Sequence, residues 1–434
     1  MSRRLLAALL LGLLPAAAPA AEQASPASAF LDTIGVATHL TSAWDTAYSN
    51  CANGGGGGGD DGDCRPNVDR IAAALRFAGI HHIRDSLVAD YVNQRVRLLA
   101  SAVPGLRVDF VVSDDRDGPI AKQLARTAPD AGLVDLIEGP NEPNNPPSHF
   151  SYQKRGFPEG ARAAMHDLRA AMRGTAFAHM PLVNSALGGG TPADYTNLGN
   201  VPEADFGSSH AYIGTSPPRD FVAGLTPSRT IAVGKPMVIT ETGNCTLTTV
   251  ATWCGVSEAV QAKYALMILA DAFRLGVRRT YLYELVDEQP DPEQTDDERH
   301  FGLFHHDWTP KPVAVALHNL SRELRADDGR TCAGRLGYSL PDTKSVLLRR
   351  ADGVFVIMAW TEAALWNPAN RTEVSVPPHE VALTLAAGHE SSRVRVVDPL
   401  TDTSVAAGPP RGGALRIVLP DHPVLIEVGE PGCK

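Results

Sequence analysis

This sequence lacks an excess of positive charge: 39 Lys and Arg face 49 Asp and Glu, for a formal net charge of -10. That balance argues against a nucleic-acid partner and gives no sign of binding an anionic membrane surface. The leucine-rich run from Leu5 to Leu14 stops at Pro15, short of the roughly 20 apolar residues that a membrane-crossing helix needs. Outside the glycine homopolymer Gly54 to Gly59, no G-x-G-x-x-G turn is present, so a dinucleotide-binding open sheet lacks its phosphate-binding element. No Cys-x-x-Cys pair occurs, and His81-His82 and His305-His306 lack metal-ligand spacing. Neither a metal nor an organic cofactor is therefore expected.

The first 20 residues read as an export signal. Arg3-Arg4 supply a positive start, Leu5 to Leu14 an apolar stretch, and Ala18-Pro19-Ala20 a small-residue cleavage site. The mature protein is expected to be secreted or periplasmic, with no membrane insertion after cleavage. An oxidising compartment permits disulfides. The six cysteines admit 15 pairings, and their spacing suggests Cys51–Cys64, Cys245–Cys254 and Cys332–Cys433. The first pair would clasp the tract Gly54 to Gly59, which Asp60, Asp61 and Asp63 follow. This segment lacks the acidic spacing and terminal Glu of an EF-hand. It reads as a loose insertion closed by a disulfide in preference to a calcium loop.

At 434 residues the chain exceeds the roughly 250–300 residues at which single cores stop growing, so a large and a small domain are expected. Over residues 27–325, eight short apolar runs alternate with helical periodicity. The runs are Phe30 to His39, Ile80 to Asp85, Val108 to Val112, Leu133 to Glu138, Leu182 to Ser185, Asp205 to Tyr212, Pro236 to Thr242 and Arg279 to Leu285. Among the helices, Ser257 to Leu275 has the clearest pattern. This alternation predicts an α/β fold, a (β/α)₈ TIM barrel. From residue 326 to 434 short runs split by turns take over, with Asp352-Gly353 as a hairpin turn. They predict a small C-terminal antiparallel β-sandwich domain.

Two strands end alike. Leu133-Val-Asp-Leu-Ile-Glu-Gly-Pro-Asn-Glu delivers Asn141 and Glu142, and Pro236-Met-Val-Ile-Thr-Glu-Thr-Gly delivers Glu241. Residues released at the C-terminal ends of barrel strands face the active site. Two glutamates on separate strands are what glycosidic bond cleavage requires. Glu138 shares a strand face with Glu142 by alternation but sits deeper, so it is not selected as a catalyst.

Taken together, Asn141-Glu142-Pro143, His210-Ala-Tyr212, Thr240-Glu241-Thr-Gly243 and Phe301-Gly-Leu-Phe with Thr309-Pro-Lys-Pro312 resemble the clan A glycoside hydrolases, most of all family 39 and its neighbours. The resemblance spans most of the barrel region and implies retaining glycosidases with an acid/base on the fourth strand and a nucleophile on the seventh. It places Glu142 as acid/base, with a raised pKa, and Glu241 as nucleophile. It further implies that Asn141 binds the sugar 2-hydroxyl, Tyr212 touches the nucleophile, His210 orients it, and Arg84 pairs with Glu241. Tyr283 and His39 would line the sugar site beside them. Trp44 and Trp253, in loops after the first and seventh strands, are candidate stacking platforms for a carbohydrate substrate. A monomer is expected. The rival readings are a non-catalytic carbohydrate-binding protein on the same barrel and a metal-dependent barrel hydrolase.

Overall fold

The computed structural model describes residues 20–40, 46–49, 65–87, 90–218, 221–325, 334–386, 392–410 and 414–429. Trp44, Cys51, Cys64, Cys332, Cys433, the glycine tract and the export signal through residue 19 lie outside the described residues.

Eight strands, β1 Ile34–Ala37, β2 His82–Asp85, β3 Arg107–Val111, β4 Val134–Glu138, β5 Leu182–Val183, β6 Gly207–His210, β7 Met237–Thr242 and β8 Thr280–Leu282, form one sheet in the order β5-β4-β3-β2-β1-β8-β7-β6. Every pairing in it is parallel. A parallel bridge between Val183 and Phe206 joins β5 to the approach of β6 and closes the ring. The Asn184 N–H donates to the Phe206 carbonyl there at 3.0 Å. This is the TIM barrel that the alternation predicts. Helices outside and packed side chains inside cover both faces of each strand, which is why the strands read as continuous apolar runs. Among the charged residues of these strands, Arg84, Asp85, Asp109, Glu138 and Glu241 are buried, and they mark the interior and the site.

The helix Glu258–Arg274 begins at Ser257, whose hydroxyl accepts from the Val260 N–H. Twelve of its 17 residues are buried, because it lies between the barrel and the second domain. In that domain β9 Arg335–Ser339, β12 His379–Leu385 and β15 Ala414–Leu419 form one sheet with the N-terminal strand Ala21–Gln23. The second sheet runs β14 Thr403–Gly408, β13 Arg393–Asp398, β16 Val424–Gly429, β11 Phe355–Trp360 and β10 Lys344–Arg349, with Ser25–Pro26 pairing parallel to β10. On β11, Phe355, Ile357 and Ala359 face the sandwich core, while Val356, Met358 and Trp360 join the barrel's hydrophobic cluster. Fully burying side chains of this size contributes roughly 1.5–3 kcal/mol each, so the two domains share one continuous apolar interface.

Several local expectations change. Phe30 to Asp32 form the end of the helix Ala27–Asp32 instead of a strand. Phe30 is buried edge-on against Phe273, with ring centroids 5.2 Å apart, a tertiary contact that periodicity does not show. Thr372–Glu373 pairs only with Trp366–Asn367, outside both sheets of the sandwich. The helices Pro192–Leu198 and Phe221–Thr230 and the strands β9 and β14 carry too little apolar patterning to have been predicted. No described helix is long and apolar enough to cross a membrane.

Candidate active site

Strand β4 ends at Glu138, and the chain turns sharply through Gly139-Pro140. A Cβ on Gly139 would lie 2.3 Å from the Met165 sulfur, so the turn needs glycine. Glu142 follows in the left-handed region, at φ 43°, a conformation that costs a non-glycine residue on the order of 1–3 kcal/mol. Its carboxyl presses on Gly188, where a Cβ would come within 2.2–2.5 Å of it. Glu241 arises inside β7 and is held by the strand itself.

Arg84 and Tyr212 hold one carboxylate, Asn145 holds the other, and His210 reaches both. Arg84, on β2, donates through Nη1 to Glu241 Oε1 at 2.7 Å and through Nη2 to Asn141 Oδ1 at 2.7 Å. The same guanidinium grips Glu138 with Nε at 2.6 Å and Nη2 at 3.1 Å. Tyr212 Oη donates to Glu241 Oε2 at 2.8 Å. His210 Nδ1 lies 2.7 Å from Glu142 Oε1 and 3.3 Å from Glu241 Oε2. Asn145 Nδ2 donates to Glu142 Oε2 at 2.8 Å. One carboxylate oxygen from each glutamate and a His210 nitrogen all fall within 4.8 Å of one another.

The electrostatics differ from the expectation for Glu142. Burial pushes its carboxyl up, but the hydrogen bond and charge of His210, then Asn145 and Arg84, prevail and hold it at about 2. The anticipated upward shift is absent because His210, backed by Asn145 and Arg84, outweighs burial. Burial lowers His210, yet Glu241 and Glu142 together raise it above the ordinary histidine value. Both shifts favour a protonated His210, with a ring N–H at Nδ1, facing an ionised Glu142. Burial and Glu241 push the Tyr212 hydroxyl far up, so it remains a donor.

These residues open onto a cavity of about 700 Å³, which Arg84, Asn141, Glu142, His210, Tyr212, Glu241, His39, Tyr283 and Trp253 all line. All the expected site residues that are described therefore converge on one space. Trp253, 51% exposed, meets Tyr212 edge-on at 5.4 Å and Phe301 at 6.0 Å. The Cys245–Cys254 disulfide forms beside it, with Cα atoms 5.2 Å apart. Glu284 is fully buried beside His39 and does not line the cavity. Among the described residues, two trios have metal-compatible spacing, Glu142-His210-Glu241 and His39-Glu284-Glu288. In the first, the carboxylate oxygens already accept from Arg84, Tyr212 and Asn145, and a cation would sit against the charges of Arg84 and His210. The donor set does not suit a metal there.

Sequence reasoning did not select four contributors. Glu138, set aside as too deep, is the buried anion that fixes Arg84. Asn145 anchors Glu142, and its only signal is its place three residues on in Asn141-Glu-Pro-Asn-Asn145. Gly188 makes room for the Glu142 carboxyl. Glu298, on the 3₁₀ turn Asp297–His300, lines the cavity from a stretch with no strand or helix pattern.

No family model matches the chain, and no curated protein matches it in sequence. Solved structures do. A family 39 glycoside hydrolase from the gut symbiont Bacteroides cellulosilyticus WH2 superposes with a TM-score of 0.55 at 15% identity, over 93% of this chain and 81% of that one. A glucosidase from Croceicoccus marinus superposes with a TM-score of 0.55 at 12% identity, over 83% of this chain and 91% of that one. At such identities the likeness establishes architecture: the chain has a fold shared with glycoside hydrolase structures, a (β/α)₈ barrel followed by a β-sandwich.

Proposed function

We propose that this protein is an exported retaining glycoside hydrolase that cleaves O-glycosidic bonds of a poly- or oligosaccharide by double displacement. The observation that carries the reading is the spacing of Glu142 and Glu241, whose oxygens approach within 4.8 Å around His210. Retaining enzymes hold their carboxyl groups about 5–5.5 Å apart, and inverting ones about 6.5–9.5 Å to admit a water. A non-catalytic binding protein has no need to bring these two carboxylates together.

In the first step Glu241 attacks the anomeric carbon, and the glycosidic C–O bond breaks. The leaving oxygen takes the proton held by the Glu142–His210 pair, passed along the 2.7 Å contact. Glu241 is then an ester and no longer raises His210, so His210 stays neutral and Glu142 stays anionic as the base. Water attacks the anomeric carbon, its proton returns to the pair, and Glu241 leaves as a carboxylate. Asn141, fixed by Arg84, is placed to bind the sugar 2-hydroxyl, and Tyr212 steadies the nucleophile.

The test is intact-mass spectrometry after exposure to a panel of activated 2-deoxy-2-fluoro glycosides, with Glu241→Gln in parallel. A covalent adduct on Glu241 is expected. An adduct on another carboxylate, formed equally by Glu241→Gln, refutes the assignment.

A further inference from the structure

Glu298 has no place in the double-displacement steps, yet it shares the cavity with Glu142 and Glu241. Its turn is firmly held. The Asp296 side chain caps it at the Glu298 N–H, Arg299 Nη1 donates to the Pro290 carbonyl at 3.1 Å, and Lys311 Nζ donates to the His300 carbonyl at 3.2 Å. The Glu298 carboxylate itself makes no hydrogen bond and no ion pair with any described residue. It stands where the catalytic cavity meets a second recess of about 490 Å³, and His39 and Tyr283 line both spaces with it.

Among the described residues, the basic side chains that border these two spaces are engaged elsewhere. Arg84 is bound by Glu138, Glu241 and Asn141, His210 by Glu142, His39 by Glu284 and Glu288, and Arg299 by Asp296. A glycan packed along this cleft would strip water from Glu298, and no described residue compensates that loss. The compensation must come from the ligand, as hydroxyl or ammonium donors. A sugar bearing its own carboxylate would instead meet an unpaired like charge, with no cation free to receive it among the described residues. Burial and the neighbouring Glu288, Asp297 and Glu241 push the Glu298 carboxyl up to about 7, a further sign that this corner lacks positive charge.

We propose that Glu298 is a specificity-determining residue that accepts hydrogen bonds from hydroxyl or amino groups of the bound sugar and rejects acidic sugars, so that the substrate is a neutral or amino-sugar glycan. The proposal rests on the glycosidase reading. Its difference from a structural role is that the response depends on the charge at position 298 and on the charge of the sugar.

The experiment compares kcat/KM of the wild type, Glu298→Gln and Glu298→Lys on matched 4-nitrophenyl glycosides in the gluco, galacto and manno series. Each series contains the neutral hexoside, its 2-amino-2-deoxy counterpart and its uronide, and circular dichroism verifies folding of the variants. The wild type is expected to prefer the neutral or the amino sugar over the uronide by at least about tenfold. Glu298→Gln should shrink that preference about tenfold, and Glu298→Lys should abolish or reverse it. If the amino sugar is the natural ligand, it loses more than the neutral one in Glu298→Lys; if the natural sugar is neutral, the two lose alike. Turnover with an unchanged neutral-to-uronide ratio in both variants overturns the proposal and leaves the glycosidase reading standing. No turnover of any glycoside, with no adduct on Glu241, overturns both.

Discussion

Replacing His210 by asparagine probes the proton economy of the site. In the wild type His210 supplies the two largest contributions that lower Glu142, which sits at about 2 against an ordinary 4.5. That difference corresponds to about 3 kcal/mol at 1.36 kcal/mol per unit. Asparagine can still donate a hydrogen bond to Glu142 Oε1 but carries no proton to transfer. Without the charge of His210 the Glu142 carboxyl rises from about 2 toward the ordinary glutamate range. The sign of the effect on rate follows. In the wild type the reactive proton is lost as pH rises through the raised value of His210, above 6.5. In the variant the proton sits on Glu142 and is lost at lower pH. The assay is the pH profile of kcat/KM between pH 4 and 9. At pH 7 the variant should lose about 10²-fold, within the usual range for acid catalysis, and it should recover part of this near pH 5. A dinitrophenyl leaving group, which needs no protonation, should suppress the loss in glycosylation. An unmoved alkaline limb, or an equal loss at every pH and for every leaving group, refutes the shared-proton reasoning.

Two further outcomes concern stability. Glu138→Gln leaves the buried Arg84 without its bidentate anion and should cost about 3–5 kcal/mol in urea unfolding; the pair replacement Arg84→Met with Glu138→Leu should cost less, and a loss under about 1 kcal/mol for Glu138→Gln alone would contradict the pairing described. Replacing Cys245 and Cys254 by serine opens a loop with a sequence separation of 9. The chain-entropy cost is about 2.5–3 kcal/mol, read as a fall of about 3 °C in the unfolding midpoint, with a raised KM as Trp253 loses its support; an unchanged midpoint would show that the bridge contributes nothing.

The sequence by itself determined the architecture and the meeting of the two glutamates. Parallel barrel strands are buried on both faces, so each announces itself as a short apolar run, and glycine turns mark where β4 and β7 end. Those two signals place Glu142 and Glu241 at one end of the same barrel without any knowledge of packing. Tertiary structure decided what the residues experience there. The Phe30 segment became helix because its ring found Phe273. Glu138 became the partner of Arg84 because β2 and β4, with β3 between them, turn these two side chains into the same layer of the barrel interior, a neighbourhood no local pattern encodes. Glu142 fell to about 2 where sequence reasoning required a raised value, since the outcome depends on Nδ1 of His210 lying 2.7 Å away. Glu298 reached the cavity from an unpatterned turn. Secondary structure is written in local periodicity, whereas charge states and cavity walls are sums over long-range neighbours, and only the folded chain sets those distances.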